Sequence, residues 1–381
     1  MIEIIDKTKC AGCTACYSVC PKSAIIMEED NEGFLYPMVN QNKCVQCNMC
    51  DDVCPYKNDK RPDYDLENCF VAINLNEKQR AKSSSGGIFV LLAESILNEG
   101  GIVYGAAFDT EWCVYHRGAE SKSELDALMG SKYMQSTMGN TFSKVADELN
   151  KGRKVLFTGT TCQINGLRNF LKKDYENLYC NDFICLGVPS PKIWRDYLEI
   201  FFPRYDIKSI NFKDKSLGWH MFSLNIEGSK NKFIKNGRDT YFFIGYFRHL
   251  YTRPACSKCV YKLGNRYSDI TISDCWGYNK IAPEMDDNKG MSSVVCHTNR
   301  GMDLFNSIKP NIKWKEADMN DVLLYNSGYR KSVSMAYNRD EFWKDYNNIP
   351  KKKLFKKYCS PVKRNPLTKL YAKIKRFIGV K

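Results

Sequence analysis

The stretch Cys10-Ala11-Gly12-Cys13-Thr14-Ala15-Cys16-Tyr17-Ser18-Val19-Cys20-Pro21 sets four cysteines at C-x-x-C-x-x-C-x-x-x-C spacing ahead of a proline, and Cys44-Val45-Gln46-Cys47-Asn48-Met49-Cys50-Asp51-Asp52-Val53-Cys54-Pro55 repeats it. Runs of this form hold 4Fe-4S clusters, and the fourth cysteine of each run ligates the other cluster. The spacing assigns Cys10, Cys13, Cys16 and Cys54 to one cluster and Cys44, Cys47, Cys50 and Cys20 to the other. Three close cysteines let one loop wrap a corner of the cube, and Gly12 suits a close backbone approach. Two structural zinc sites are the alternative, although zinc usually draws its ligands as two pairs. Such a module takes in or gives out single electrons and does not by itself choose a substrate.

At 381 residues the chain is far longer than this module, so a further domain is joined to the clusters. A hydrophobic content of 43% with 13% aromatics suits packed cores and argues against disorder. The opening Met1-Ile2-Glu3-Ile4-Ile5-Asp6 has no charged region followed by an apolar run, and no stretch is apolar enough to span a bilayer. The expected location is therefore the cytoplasm, where most of the eighteen cysteines serve as thiols or thiolate ligands, not disulfides.

Outward from the module, Asn58-Asp59-Lys60-Arg61-Pro62-Asp63 has the composition of a linker. Phe70-Val71-Ala72-Ile73 predicts a strand, and Ser83-Ser84-Ser85-Gly86-Gly87 leads into an apolar helix over 88–97 that Gly100-Gly101 ends. A strand at 102–105, a helix at 141–150, a strand at 155–157, a helix at 163–172, a strand at 178–185 and a helix at 191–201 then alternate, which predicts an α/β layer structure. Beyond Phe202 the pattern turns to mixed strands and loops. The expected organisation is a ferredoxin-like two-cluster module at 1–62, an α/β domain with a mixed C-terminal part at 65–345, and a basic tail at 351–381.

Four further cysteines are placed conspicuously: Cys162 at a strand-to-helix turn, Cys185 at a strand end, and the pair Cys256 and Cys259. Together they suit a third cluster, while a structural or chance C-x-x-C is the alternative for the pair. Cys69, Cys113, Cys180, Cys275, Cys296 and Cys359 are expected as small buried hydrophobes or unexceptional thiols. The segment Ser83 to Gly87 offers hydroxyls and unhindered amides at a helix N-terminus, where a phosphate is favoured. An ordinary capped helix start has the same letters. Gly130-Ser131-Lys132-Tyr133-Met134-Gln135-Ser136 adds a cation and polar groups suited to a dinucleotide.

Several of these motifs, in this order, resemble the beta subunits of coenzyme F-420 hydrogenase and dehydrogenase, a family of iron-sulfur flavoproteins. The resemblance rests on Ser85-Gly86-Gly87, Ser131-Lys132-Tyr133, Gly159-Thr160-Thr161-Cys162-Gln163 with Gly166-Leu167-Arg168, Cys185-Leu186-Gly187-Val188-Pro189-Ser190, Cys256-Ser257-Lys258-Cys259, Ser268-Asp269-Ile270 and Asp274-Cys275-Trp276-Gly277. It implies FAD on the second domain, bound through Ser85, Gly86, Gly87, Ser131 and Lys132, beside a 4Fe-4S cluster on Cys162, Cys185, Cys256 and Cys259. The family usually has proline where Thr161 stands and histidine where Leu186 stands, which leaves the proton donor open. Asp274 is either a polar contact near the flavin or a turn residue.

The expectation from all of this is an enzyme: an iron-sulfur flavoprotein oxidoreductase, with a ferredoxin or another redox protein as electron donor. A flavin joins one-electron clusters to hydride chemistry. Members of the family act on the deazaflavin coenzyme F-420, and others serve elsewhere, including bacterial polysaccharide pathways. A sugar intermediate of polysaccharide biosynthesis is the expected small-molecule substrate, with an F-420-dependent subunit or a non-catalytic electron carrier as alternatives. No catalytic acid or base is assigned, and none of His116, His220, His249 and His297 sits in a motif.

The net charge is +14, and every charged residue after Pro350 is basic. Leu367, Leu370, Tyr371, Ile374, Phe377 and Ile378 recur at helical spacing, which predicts an amphipathic cationic helix. Docking on an anionic membrane surface at the inner face is one reading, and a solvated tail or a helix packed on its own domain is the other. Nucleic acid is not an expected partner, since no recognition fold accompanies the charge.

Overall fold

The structure is a computed structural model that describes residues 1–58, 68–202, 206–264 and 266–361. In the cysteine-rich module, strands β1 (Ile25–Glu29) and β2 (Leu35–Val39) pair antiparallel. Two single helical turns, Ala15–Ser18 and Met49–Asp52, carry Cys16 and Cys50. Ile2, Ile25 and Cys50 form its small core. Docking to the rest of the chain adds to this small core, since Cys13, Ala15 and Val53 pack with Phe142, Phe157 and Leu167 of the second unit.

The second unit is built on a mixed sheet of eight strands: β3 (Asn68–Asn74), β4 (Ile102–Phe108), β5 (Val114–Ala119), β6 (Val155–Gly159), β7 (Leu178–Phe183), β11 (Ile270–Asp274), β12 (Ser292–Cys296) and β13 (Ile312–Glu316). Their order is β13-β3-β12-β11-β7-β6-β4-β5. The central four, β4, β6, β7 and β11, run parallel, and the flanking strands pair antiparallel. The run Phe70-Val71-Ala72-Ile73 is buried throughout, as a strand covered on both faces must be. Helices Ile88–Asn98 and Asn299–Ile308 cover one face and Thr141–Asn150 and Thr161–Leu171 the other.

The region beyond Phe202 is mixed, as expected. Strands β8 (Ile207–Asp214), β9 (Ser223–Gly228) and β10 (Lys232–Asn236) form an antiparallel sheet of their own. With helices Pro191–Phe201 and Tyr241–Phe247 it encloses an aromatic core that includes Trp194, Phe212, Phe242 and Phe243.

Part of the segment expected as a basic amphipathic tail is packed on the domain. Residues Lys351–Cys359 form a helix whose Leu354, Phe355, Tyr358 and Cys359 are buried in that same aromatic core. This part belongs to the folded unit, because its apolar side chains occupy one face while Lys352, Lys353, Lys356 and Lys357 are exposed. The later hydrophobic positions, from Leu367 on, lie outside the described residues, as does most of the expected linker. Among the described residues no helix is long and apolar enough to cross a membrane.

The module is fastened to the second unit at several points. Ser190 Oγ donates to the carbonyl of Glu32, Arg195 pairs with Glu29 at 2.6 Å, and Arg339 forms an ion pair with Glu32.

Candidate functional site

The two cysteine runs surround two cavities. Cys10, Cys13, Cys16 and Cys54 line one, with Gly12 and Tyr56. Cys20, Cys44, Cys47 and Cys50 line the other, with Met1 and Lys22. Each cavity thus takes three thiols from one run and the fourth from the other, which is the crossed pattern expected from the spacing. Thr14 and Asn48 take left-handed backbone angles, φ 68° and 60°, so that each loop turns sharply into its helical turn. Among the described residues no three His, Cys, Asp or Glu side chains converge closely enough for a single metal ion. Thiols spread around a cavity suit a polynuclear cluster.

Backbone amides point at the sulfurs: Ile2 N donates to Cys50 Sγ at 3.2 Å and Ala24 N to Cys20 Sγ at 3.3 Å. Cys47 is exposed, so the second cavity reaches the surface, whereas Cys13 of the first is buried. Burial pushes the Cys13 and Cys16 thiols well up and raises that of Cys54. Iron would have to displace those protons to bind.

The other four conspicuous cysteines are brought together by tertiary structure. Cys162 sits in the first turn of the helix Thr161–Leu171, whose capping box joins Thr160 and Gln163. Thr160 Oγ1 lies 3.1 Å from Cys162 Sγ. Cys185 follows β7, and the amide of Gly187 donates to its sulfur at 3.3 Å. A bridge between Pro189 and Thr252 pulls the Cys185 loop onto the segment carrying Cys256 and Cys259. Gly187, at φ 87°, is required there, since a Cβ would come within 3.1 Å of the Cys256 Cβ.

Burial is the largest influence on these thiols and pushes Cys162 up to about 12. Cys185 and Cys256 rise for the same reason, and the neighbouring sulfurs add to it. At Cys185, Lys262 and Arg266 act in the opposite direction. The two thiols Cys162 and Cys185 lie at the carboxyl ends of parallel strands β6 and β7, where open α/β sheets bind ligands.

The aromatic pair Tyr56 and Tyr261 spans the space between the inner cavity and this set. Their rings meet edge to face with centroids 6.5 Å apart. Tyr56 follows Cys54 and Pro55, and its environment includes Cys162, Cys259 and Cys256. Tyr261 accepts from Asn165 Nδ2 at 3.2 Å on the Cys162 helix.

The two expected flavin segments also meet. The amide of Ser131 donates to Ser84 Oγ at 2.7 Å. Ser85 Oγ donates to the Met291 carbonyl at 2.7 Å and Gly86 N to Ser292 Oγ at 3.0 Å. These bonds pin the loop to β12 and occupy the hydroxyl of Ser85. Gly87, at φ 82°, starts the helix with no side-chain cap, which leaves its first amides without a capping oxygen. Lys132 is half-buried and donates to the carbonyls of Met129 and Gly130 at 3.0 and 3.2 Å. Desolvation lowers its ammonium to about 7.

Asp274 ends β11 and pairs with buried Lys213, and it accepts from Trp219 Nε1 at 3.1 Å. Lys213 also lies 5.0 Å from the Trp276 ring centroid. Sequence reasoning passed over Lys213, because nothing local marks it. It also passed over the buried network on Asp182, which accepts from Thr161 Oγ1 at 2.5 Å, Arg266 Nη1 at 3.0 Å and Ser268 Oγ at 2.9 Å. The threonine that replaces the family's usual proline thus anchors the Cys162 turn through its hydroxyl. Leu186, in place of the usual histidine, packs against the aromatic core. Five of the remaining cysteines, Cys69, Cys180, Cys275, Cys296 and Cys359, are buried as expected.

Residues 152–322 match the family described as the C terminus of the coenzyme F-420 hydrogenase/dehydrogenase beta subunit, and residues 9–58 match the 4Fe-4S dicluster domain. An uncharacterized ferredoxin of Methanocaldococcus jannaschii is 48% identical over 33 residues, which are 9% of this chain and 43% of that protein. The chain thus spans less than half the length of that relative. A chain of the F-420-reducing NiFe hydrogenase complex from Methanosarcina barkeri is similar at 18% identity and a TM-score of 0.46, over 66% of this chain and 82% of that one.

Proposed function

Residues 152–322 belong to the coenzyme F-420 hydrogenase/dehydrogenase beta-subunit family and residues 9–58 are a 4Fe-4S dicluster domain, and from that premise we propose that the chain is an iron-sulfur flavoprotein oxidoreductase. In this reading a third 4Fe-4S cluster is held by Cys162, Cys185, Cys256 and Cys259, and FAD by the segments of Ser85, Gly86, Gly87, Ser131 and Lys132. Bound there, the clusters carry electrons singly and the flavin couples them to two-electron reduction. Two electrons from a ferredoxin or similar donor and two protons are consumed per substrate molecule.

The observation that carries the reading is the sequence of thiol sets through the molecule. Exposed Cys47 marks an outer set, and the set of Cys13 is the inner one because Gly166 of the Cys162 helix lies against Cys13. Cys162 and Gly166 are one helical turn apart, about 6 Å along the axis. Around these sets the chain's own residues exclude water and fix orientation: Tyr56 and Tyr261 fill the gap, and Asp182 anchors Thr161. Ser131 meets the Ser84 loop, and the helix that Gly87 opens has first amides without a side-chain cap, which suits a cofactor phosphate.

A sugar intermediate of bacterial polysaccharide biosynthesis is the proposed substrate, handled in the cytoplasm. The family match favours a second reading, direct exchange with coenzyme F-420, and a third is electron delivery to a partner subunit without a substrate of its own.

Iron, acid-labile sulfide and flavin content of anaerobically purified protein, with the Cys256→Ser variant alongside, tests the proposal. About twelve irons and one FAD, falling by about four irons in the variant, is the expected result. Eight irons and no flavin would overturn it. Bleaching of the deazaflavin band by reduced protein would favour the F-420 reading over the sugar.

A further inference from the structure

Arg253 is a buried guanidinium that meets no carboxylate. Its side chain is 1% exposed, and among the described residues it makes no ion pair with Asp or Glu. Nε donates to the Cys10 carbonyl at 2.8 Å, Nη1 to Gln135 Oε1 at 2.8 Å and Nη2 to the Leu35 carbonyl at 3.0 Å. Nη2 also stands 3.7 Å from the Cys10 sulfur. The guanidinium carbon lies 4.3 Å from the Tyr36 ring centroid and 5.3 Å from that of Phe34. These neutral partners satisfy its hydrogen bonds and leave its charge uncompensated, which is costly in a buried setting.

The site therefore calls for an anion, and the thiols of the inner cavity surround the place for one. A 4Fe-4S cube on four thiolates is negatively charged, and reduction makes it more so. A fixed positive charge beside it stabilises the reduced form and raises the potential. The outer cavity differs: of the two cations on its lining, Lys22 is exposed, so water and salt screen it, and the Met1 ammonium is already paired with Asp51 at 2.6 Å.

We propose that Arg253 is the counter-charge of the cluster on Cys10, Cys13, Cys16 and Cys54 and holds its reduction potential above that of the cluster on Cys20, Cys44, Cys47 and Cys50. The proposal rests on the two-cluster reading of the module. It makes the inner cluster the resting place of an electron about to leave the module. Arg253 is also a positioning residue for the next thiol set. Its amide donates to the Val188 carbonyl at 2.9 Å, and its own carbonyl accepts from the Cys256 amide at 3.0 Å. One residue thus touches Cys10 through its side chain and Cys256 through its backbone.

The test is an anaerobic redox titration of the full-length, cluster-loaded chain, followed by electron paramagnetic resonance. Wild type, Arg253→Lys and Arg253→Gln are compared, and Cys13→Ser marks the signal of the inner cluster. The expected result in Arg253→Gln is a more negative midpoint for the inner cluster and not for the outer one, largely restored in Arg253→Lys. Loss of the inner cluster in Arg253→Gln but not in Arg253→Lys would equally support a role for the charge. An unmoved inner midpoint in Arg253→Gln, equal shifts of both clusters, or loss of the inner cluster in both variants would overturn the proposal. A wild-type chain that loads fewer than two clusters would overturn the module reading and the proposal with it.

Discussion

Gly166 lies directly against Cys13: a Cβ built on Gly166 would stand 2.8 Å from the Cys13 sulfur and 2.9 Å from its Cβ. Carbon atoms do not approach that closely without something moving. In an ordinary helix interior, glycine to alanine gains about 1 kcal/mol. Here overpacking costs about 1 to 3 kcal/mol, so the sign reverses. Gly166→Ala is expected to lower the thermal midpoint by a few degrees and to reduce iron per chain. An unchanged midpoint with full iron would show that the helix slides away freely, and the close thiol sequence would lose its structural basis.

Asp182 is completely buried and is the common acceptor for Thr161, Arg266, Ser268 and Thr271. Removing it strands the Arg266 charge, a loss of about 3 to 5 kcal/mol for a buried pair. Thr161→Val removes one hydroxyl and should cost about 1 to 2 kcal/mol. Urea unfolding of Asp182→Ala and Thr161→Val is expected to show this ranking. Equal, small losses would mean that Arg266 finds another anion.

The contrast between these sites and the cysteine runs explains what could be read from the sequence. A cluster dictates ligand spacing along a few consecutive residues, so both runs were legible, and with them the thiols that share each cavity. Phe70 to Ile73 was legible because a doubly covered strand must be apolar throughout. The helix after β6 begins two residues earlier than its apolar pattern implied, because Thr160 and Gln163 cap it. Arg253 carried no local signal at all, since its contact with Cys10 crosses 243 residues of chain. Lys213 and Asp274 are likewise partners only through the fold. At 351–359 the choice between a solvated tail and a helix packed on its own domain stayed open in the sequence, because the lysines there outnumber the apolar residues that the helix buries.

Two histidines should make the fold sensitive to acid. Burial lowers both His116 and His297 to about 4, and at His297 the pull of Asp182 opposes desolvation only in part. Both are therefore neutral in the folded chain, whereas unfolded histidine titrates near 6.5. The unfolded state gains protons first, so their contribution is complete above about pH 6.5 and is lost as pH falls toward 4. Each contributes a slope of up to roughly 1.4 kcal/mol per pH unit. Stability of His297→Gln, measured against wild type across that window, is expected to fall less steeply. Parallel curves would mean that His297 takes up its proton over the same pH range in the folded and unfolded chains.

The basic C-terminal segment needs two truncations, because its parts do different things. Leu354 is fully buried, with Phe355, Tyr358 and Cys359 nearly so, against Tyr251, Phe342 and their neighbours. Losing a packed leucine or phenylalanine costs about 2 to 5 kcal/mol. Deletion of 351–381 is therefore expected to destabilise the whole aromatic core and to confound any binding assay. A chain ending at Pro361 keeps each of those side chains in place and removes the lysines and apolar residues from 363 onward. Sedimentation with anionic liposomes is expected for the full chain and is expected to fall, with the thermal midpoint unchanged, for the chain ending at Pro361. Equal sedimentation of the two would remove the membrane role from this segment and leave its charge as a solvated tail.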